Sequence, residues 1–347
     1  MKGKTITERE NLIRALEFAA PEWVPIDFDL LPAVRIKYGE ALKEVLLAHP
    51  LIFEAREVEQ MNYTTPGLLH TEGEYYTDDW GCVWYSARDG ILGQVVEHPL
   101  SDWKVFDALV PPDPSKQENW EGIRDAAKRQ RAEGKVVYGA TSIINGGFFD
   151  RLQFLRGLEN LLVDFATEPP QLATLMEMVL EHNRKAIKKW LEIGIDVMCF
   201  HGDIGTQRGL MMDPQTFRKY LKPAYKEMFQ MCRRAGAHVK YSSDGNLLEI
   251  VDDLVECGVS YHDPQVGACG IDGIARAYKG KMCASVDIDE QIMPFCTPEE
   301  IDEQVCEIVT KVGSPDGGLM LYASPTEDVP LANIAAICTA WERYCIG

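Results

Sequence analysis

Short apolar segments alternate with longer amphipathic ones, a polar cluster closes each apolar segment, and no phosphate-cradling glycine loop follows any of them. Together these observations predict an α/β protein of the (β/α)8, TIM-like barrel class. Parallel pairing follows because each amphipathic crossover covers one face of the sheet. The rival is a doubly wound open sheet, whose nucleotide chemistry rests on G-x-G-x-x-G or G-x-x-x-x-G-K-[ST] after a strand; neither is present. At about 150 residues per domain, 347 residues would allow two domains, but the alternation reads as one barrel over residues 1–347 with an insertion at about 64–114.

Thr5 or Thr7 caps an opening helix whose apolar residues Leu12, Ile13, Leu16 and Phe18 recur at helical spacing and which ends by Pro21. Trp23-Val24-Pro25-Ile26-Asp27-Phe28-Asp29 then alternates as a strand does. From Thr64 to Pro114 the texture changes to Gly, Asp, Trp and Tyr, with short alternating runs that predict a β-hairpin or lid ended by Pro111-Pro112-Asp113-Pro114. Its aromatics, Tyr75 to Trp84, would either wall a pocket for a flat organic substrate or corrinoid ring, or form the hairpin's own small cluster.

Beyond residue 115 the plan repeats. Helix Trp120 to Gly134 precedes strand Val136 to Ala140, the segment Phe154 to Phe165, and a long helix from Pro170 to Ile193. Strand Asp196 to Phe200 leads to helix Asp213 to Ala235, strand His238 to Tyr241 to helix Leu247 to Cys257, and strand Val259 to Tyr261 to helix Gly273 to Tyr278. Strand Met282 to Val286 is followed by Thr297-Pro298-Glu299-Glu300, a capping box with proline at the first helical position, and that helix runs to Val312. Strand Gly318 to Tyr322 and helix Leu331 to Tyr344 complete the set, giving close to eight strands.

Composition narrows the class of function. Lys and Arg number 35 against 54 Asp and Glu, a formal charge of −19 that repels nucleic acid and anionic membranes. The N-terminal stretch has no apolar signal-peptide core and no window is apolar enough to span a bilayer, so a cytoplasmic location is expected. The ten cysteines include no C-x-x-C pair and read as small buried hydrophobes of a reducing compartment.

All strand C-termini of such a barrel open onto one face, so the strand-end residues should converge. They are Asp27 and Asp29, His201 and Asp203, Ser242 and Asp244, His262 and Asp263, Asp287 and Asp289, and Tyr322 with Ser324. Carboxylates and imidazoles around one rim can bind a cation or shift one another's pKa for acid/base work. Asp203 before Gly205 and Asp244 before Gly245 could instead shape turns. His238, at the start of its strand, reads as structural.

The run Ile6-Thr7-Glu8-Arg9-Glu10 through Ala15-Leu16-Glu17 to Trp23-Val24-Pro25 resembles the opening of the uroporphyrinogen decarboxylase superfamily. So do Gly202-Asp203-Ile204-Gly205-Thr206-Gln207-Arg208-Gly209-Leu210, Pro214, Phe217 to Pro223, Asp244-Gly245-Asn246 and Asp287, over nearly the whole chain. True decarboxylases of this type carry an arginine-bearing run resembling M-R-Q-A-G-R for the substrate's many carboxylates. Here the region reads Ile26-Asp27-Phe28-Asp29-Leu30-Leu31-Pro32-Ala33-Val34-Arg35-Ile36-Lys37, with two acids in place of the basic cluster.

The superfamily's other branch is the corrinoid-dependent methyltransferases. Its coenzyme M members hold zinc with a strand-end H-x-C-G and a later Cys, where this chain has Ser242-Ser243-Asp244-Gly245 and Tyr322-Ala323-Ser324. The resemblance therefore implies the first methyltransferase of an O-demethylase system, passing the methyl of a small methoxylated aromatic to a Co(I) corrinoid on a partner protein. Asp203, Asp244 and His262 would act near the reacting oxygen and Tyr322 would orient the substrate. Zinc is implied by similarity to the branch, with His201, Asp203, Asp244 and His262 as its ligands, and a homodimer is compatible. A decarboxylase and a non-catalytic small-molecule or corrinoid-binding barrel are the alternatives.

Overall fold

The computed structural model describes residues 6–67, 70–117, 119–140 and 147–346. Helix α1 (Glu8–Leu16) is capped by Thr7, whose hydroxyl accepts from the Glu10 N–H; Thr5 lies outside the described residues. Strand β1 (Ile26–Phe28) and helices α2 (Pro32–Ala48) and α3 (Ala55–Gln60) precede three short strands, β2 (Tyr75–Thr77), β3 (Val83–Tyr85) and β4 (Gln94–Glu97). Helices α4 (Pro114–Gln117) and α5 (Trp120–Ala132) lead to strand β5 (Tyr138–Ala140) and helices α6 (Phe149–Arg156), α7 (Leu158–Thr167) and α8 (Pro170–Ile193). Strand β6 (Val197–His201) is followed by the small hairpin β7 (Gly205–Thr206) and β8 (Gly209–Leu210), then α9 (Pro214–Thr216), α10 (Lys222–Arg234) and β9 (His238–Ser242). Helix α11 (Val251–Cys257), strand β10 (Tyr261–His262), helices α12 (Val266–Cys269) and α13 (Ile271–Tyr278), strand β11 (Cys283–Asp287), helix α14 (Pro298–Val312), strand β12 (Leu319–Ala323) and helix α15 (Leu331–Trp341) complete the order.

Seven of these strands form one parallel sheet in the order β1-β12-β11-β10-β9-β6-β5. Strands four places apart in a flat sheet would lie about 19 Å apart. The Lys240 Nζ on β9 nevertheless reaches to 3.9 Å from the Asp27 Oδ2 on β1, so the sheet is curled around a lumen. An eighth strand is absent between the edges β1 and β5 among the described residues, which corrects the expected count. The apolar run Leu51-Ile52-Phe53 lies at that seam but turns instead of extending, because the Ile52 and Phe53 N–H groups are already used by the His49 carbonyl. A cavity of about 520 Å³ at the seam is lined by Trp23, Ile26, Ile52, Phe53, Val136 and Tyr138, among others.

Alternation sorts the strand residues onto two faces. Val197, Tyr261, Cys283 and Met320 point into the lumen, where Leu12 and Leu16 of α1 close the end away from the strand C-termini, with Cys199 packed against them. Arg9 fastens that plug by donating to Asp196 at 2.8 Å. Val239, Tyr241, Val286, Leu321 and Ala323 point outward into the core shared with the helices. The helix expected over 213–235 is divided: Phe217–Leu221 forms a π-helical turn between α9 and α10. The segment Phe154 to Phe165 divides at Gly157, whose φ of +79° ends α6. The capping box is as read, with Thr297 and Glu300 bonding each other's backbone N–H. Thr297→Ala is expected to lower stability by about 1 kcal/mol, read as a fall in thermal midpoint.

Strands β2, β3 and β4 make an antiparallel sheet within the expected insertion. Its tryptophans pack inward: Trp80 lies edge-on to His182 of α8 at 5.0 Å and Trp84 edge-on to Phe154 of α6 at 4.9 Å, both almost fully buried. The tryptophans follow neither reading of these aromatics: they pack the insertion against helices α6 and α8. Asp78 organises that packing, accepting from the Trp80 and Cys82 N–H groups, the Trp84 Nε1 and the Arg151 guanidinium. A second fastening lies at Arg156, which donates to Asp164 at 2.7 Å while its guanidinium stacks 4.1 Å from the Trp103 ring centre.

Candidate active site at the strand C-termini

The loops after β6 and β9 meet at the open end of the sheet. Gly205 and Gly245 are pressed together there: a side chain at Gly245, whose φ is +84°, would collide with the Gly205 and Thr206 backbone, and one at Gly205 with the Asp244 carbonyl. That close approach joins the two motifs carrying Asp203 and Asp244. The Asp203 Oδ1 accepts from the Asp244 N–H at 3.0 Å, and the Asp244 Oδ1 accepts from the Gln265 Nε2 at 3.1 Å. Gln265 in turn accepts from the Gly245 N–H at 2.8 Å. The two acids thus share the mouth, and these bonds tie one loop to another instead of shaping each acid's own turn.

The acids of this mouth crowd one another. Asp150, at the start of α6, accepts from the Asp203 N–H at 3.1 Å; burial first, and then the Asp203 charge, push its carboxyl up to about 7. Partial desolvation at the crowded mouth and the charges of Asp203 and Asp263 push Asp244 up to about 6, although its outer edge is exposed. Glu290 is pushed up to about 7 by burial and by Asp244, Asp263, Asp289 and Asp29. Asp287 is held well above the usual range, chiefly by burial, while one of its oxygens accepts from the Val266 N–H at 2.6 Å. Asp29 is raised by burial and by Asp27. Carboxyl groups so coupled share protons near neutrality rather than ionising together.

Beneath the mouth, Lys240 reaches into the lumen. Its Nζ lies 3.6 Å from the Asp263 Oδ2 and 3.9 Å from the Asp27 Oδ2. It also lies 5.9 and 5.6 Å from the ring centres of Tyr261 and Tyr322. Burial works against its charge, but Asp263 and Asp27 outweigh burial and hold the ammonium above its usual range. Asp263 also accepts from the Ser242 hydroxyl and, at 3.3 Å, from the Ser243 N–H. His201 lies on the same face of β6 as Cys199, and burial keeps its imidazole below the usual range against the pull of Asp263. Tyr322, on β12, is half-buried beside Lys240.

His262 does not join this group. Tyr261 faces the lumen, so its neighbour on the strand faces the helices. There the His262 Nδ1 bonds the Tyr278 hydroxyl of α13 at 2.8 Å, the ring stacks against Tyr241 and Tyr278, and the residue is fully buried. Asp263 takes its expected place at the mouth. The proposed zinc set of His201, Asp203, Asp244 and His262 fails for the same reason. Among the described residues no three His, Cys, Asp or Glu side chains are placed to hold a metal ion, so these donors do not fit zinc and no step is derived through it.

Three members of the site escape sequence reading. Asp150 comes from a helix start rather than a strand end; Glu290 directly follows the expected Asp289; Lys240 is a charged residue in mid-strand. Of these only Lys240 left a readable signal, since His238-Val239-Lys240-Tyr241-Ser242 alternates and places lysine on the face of Ser242. Elsewhere, His238 lies at the far end of β9, between Arg233 and Ser260, away from the mouth.

The family model for Uroporphyrinogen decarboxylase (URO-D) matches residues 82–344. Among solved structures, a methyltransferase from Methanosarcina mazei aligns over 98% of this chain and 99% of its own at 15% identity, with a TM-score of 0.68. That likeness establishes a shared fold. A protein from Sinorhizobium meliloti 1021 aligns over 65% of this chain and 85% of its own at 18% identity, with a TM-score of 0.41, too low to carry an argument. No curated protein matches the sequence. Among the described residues, no helix is long and apolar enough to cross a membrane.

Proposed function

The chain belongs to the Uroporphyrinogen decarboxylase (URO-D) family, and from that premise we propose that it is a corrinoid-dependent methyltransferase of the O-demethylase type. In this reading the curled sheet is a (β/α)8-type barrel open at one seam, and the insertion covers part of its mouth. The methyl donor is a small methoxylated aromatic. The acceptor, a Co(I) corrinoid on a partner protein, supplies the electron pair that takes the methyl carbon. The exposed rim at Asp203 and Asp244 leaves room for a group delivered from outside.

The observation that carries this reading is the acid cluster at the open end of the sheet, where Asp203 accepts from the Asp244 N–H, Asp150 accepts from the Asp203 N–H, and burial with mutual charge raises Asp244, Asp150 and Glu290 toward neutrality. Breaking the methyl–oxygen bond leaves its electron pair on the aryl oxygen, and an acid beside that oxygen stabilises the developing charge in the transition state. Asp244, at about 6, and Glu290, at about 7, carry protons at a pH where ordinary carboxyls have lost them. Asp244 is the proposed acid, with Asp203 keeping its proton on and Tyr322 orienting the ring. Other acids of the site oppose the decarboxylase alternative, because a substrate with many carboxylates would be repelled by Asp27, Asp29 and Asp263.

The test is methyl transfer itself. A panel of aryl methyl ethers, supplied with a partner protein carrying Co(I) corrinoid, is expected to change the visible spectrum of the corrinoid; no change with any donor would overturn the proposal. The acid must be protonated to act, so turnover is expected to be near full below about pH 5 and half-maximal at about pH 6. It should fall up to about tenfold per unit once the pH passes 7. A rate that rises over that range would remove the acid from the mechanism.

A further inference from the structure

The Lys240 ammonium is held in place without being used up. Its nearest carboxylate oxygens, at 3.6 and 3.9 Å, lie beyond hydrogen-bond distance. Its side chain is only 14% exposed. Tyr261 and Tyr322, on strands β10 and β12, stand beside it with ring centres 5.9 and 5.6 Å away. On β11, the Ser285 hydroxyl is buried on the lumen-facing side without a hydrogen-bond partner. Two aromatic faces beside an ammonium and a buried, unpartnered hydroxyl suit a ring that carries an oxygen.

The charge of the surroundings says which oxygen. Two carboxylates, Asp27 and Asp263, flank the one ammonium, and Asp29, Asp203, Asp244 and Glu290 lie toward the mouth. A ring carboxylate would gain one attraction and meet the repulsion of both Asp27 and Asp263, whereas a phenolic or ether oxygen can accept from Lys240 without adding charge. Resting on the methyltransferase reading, we propose that the lumen selects an uncharged methoxylated ring bearing a second oxygen, held by Lys240, and rejects ring carboxylates.

Equilibrium calorimetry on the whole chain, with no corrinoid partner present, tests this directly. ortho-Methoxyphenol is expected to bind at least about tenfold more tightly than the same ring with a para-carboxylate. Lys240→Met should weaken ortho-methoxyphenol at least about tenfold while leaving methoxybenzene, which lacks the second oxygen, within about twofold. Asp27→Asn, which removes an exposed charge and leaves Lys240 paired with Asp263, should narrow the carboxylate discrimination without weakening the neutral ring. Equal or tighter binding of the carboxylate would overturn the proposal, as would a Lys240→Met loss identical for both neutral rings. If the Lys240 variant fails to fold, the Asp27→Asn comparison decides alone. Ordered binding without methyl transfer would remove the functional reading and leave this selectivity standing; methyl transfer with indifferent binding would do the reverse.

Discussion

Asp244→Asn is expected to lower the turnover of aryl methyl ethers by about a hundred- to ten-thousandfold, with little change in KM for the donor. Asparagine preserves the shape and can still accept from Gln265, so the loop held by Gly205 and Gly245 need not move. What disappears is the proton. The effect should therefore depend on the leaving group: a donor whose phenol is strongly acidic needs little protonation and should lose least. Asp203→Asn supplies the complementary test. Removing the neighbouring charge lets Asp244 ionise more easily, so the pH above which turnover falls should move down from about 6 toward the ordinary carboxyl range. The acid role fails if Asp244→Asn leaves turnover intact, or if its loss is the same for good and poor leaving groups.

Which parts of this site were legible follows from how far each residue stands from a pattern. Asp203 and Asp244 end strands and precede glycines, so alternation and turn chemistry both mark them. His262 and Asp263 end the same strand, and the sequence alone does not say which of the two faces the lumen. The answer depends on Tyr261, whose inward position is set by Leu12, Val197 and Met320, far away in the chain. The missing eighth strand has a similar origin: Leu51-Ile52-Phe53 is apolar enough to extend, but the local turn on the His49 carbonyl wins. Asp150 is raised first by burial and then by the charge of Asp203, more than fifty residues away, and no local pattern encodes that. The helix division at Phe217–Leu221 likewise lies inside an unbroken amphipathic run.

The second large effect is one of stability, at Asp78. This carboxylate and Arg151 are both buried, 2.9 Å apart, and the guanidinium already leaves its Nε and Nη2 without hydrogen-bond partners. Asp78→Ala would strand that charge under Trp80 and Phe154, whose rings lie 5.3 and 5.6 Å from it. It would also free the N–H groups of Trp80 and Cys82 and the Trp84 Nε1. A loss of about 3–5 kcal/mol is expected, read as a lower urea midpoint at unchanged slope. Asp78→Asn, which keeps an acceptor for those N–H groups, should lose less, and Arg151→Met in the Asp78→Ala background should recover part of the loss by removing the stranded charge. The damage should also reach the mouth. Arg151 adjoins Asp150, whose oxygen holds the Asp203 N–H, so loosening the start of α6 should slow methyl transfer even where the chain remains folded. A stable, fully active Asp78→Ala protein would mean that the insertion neither fastens α6 nor supports the acids above it.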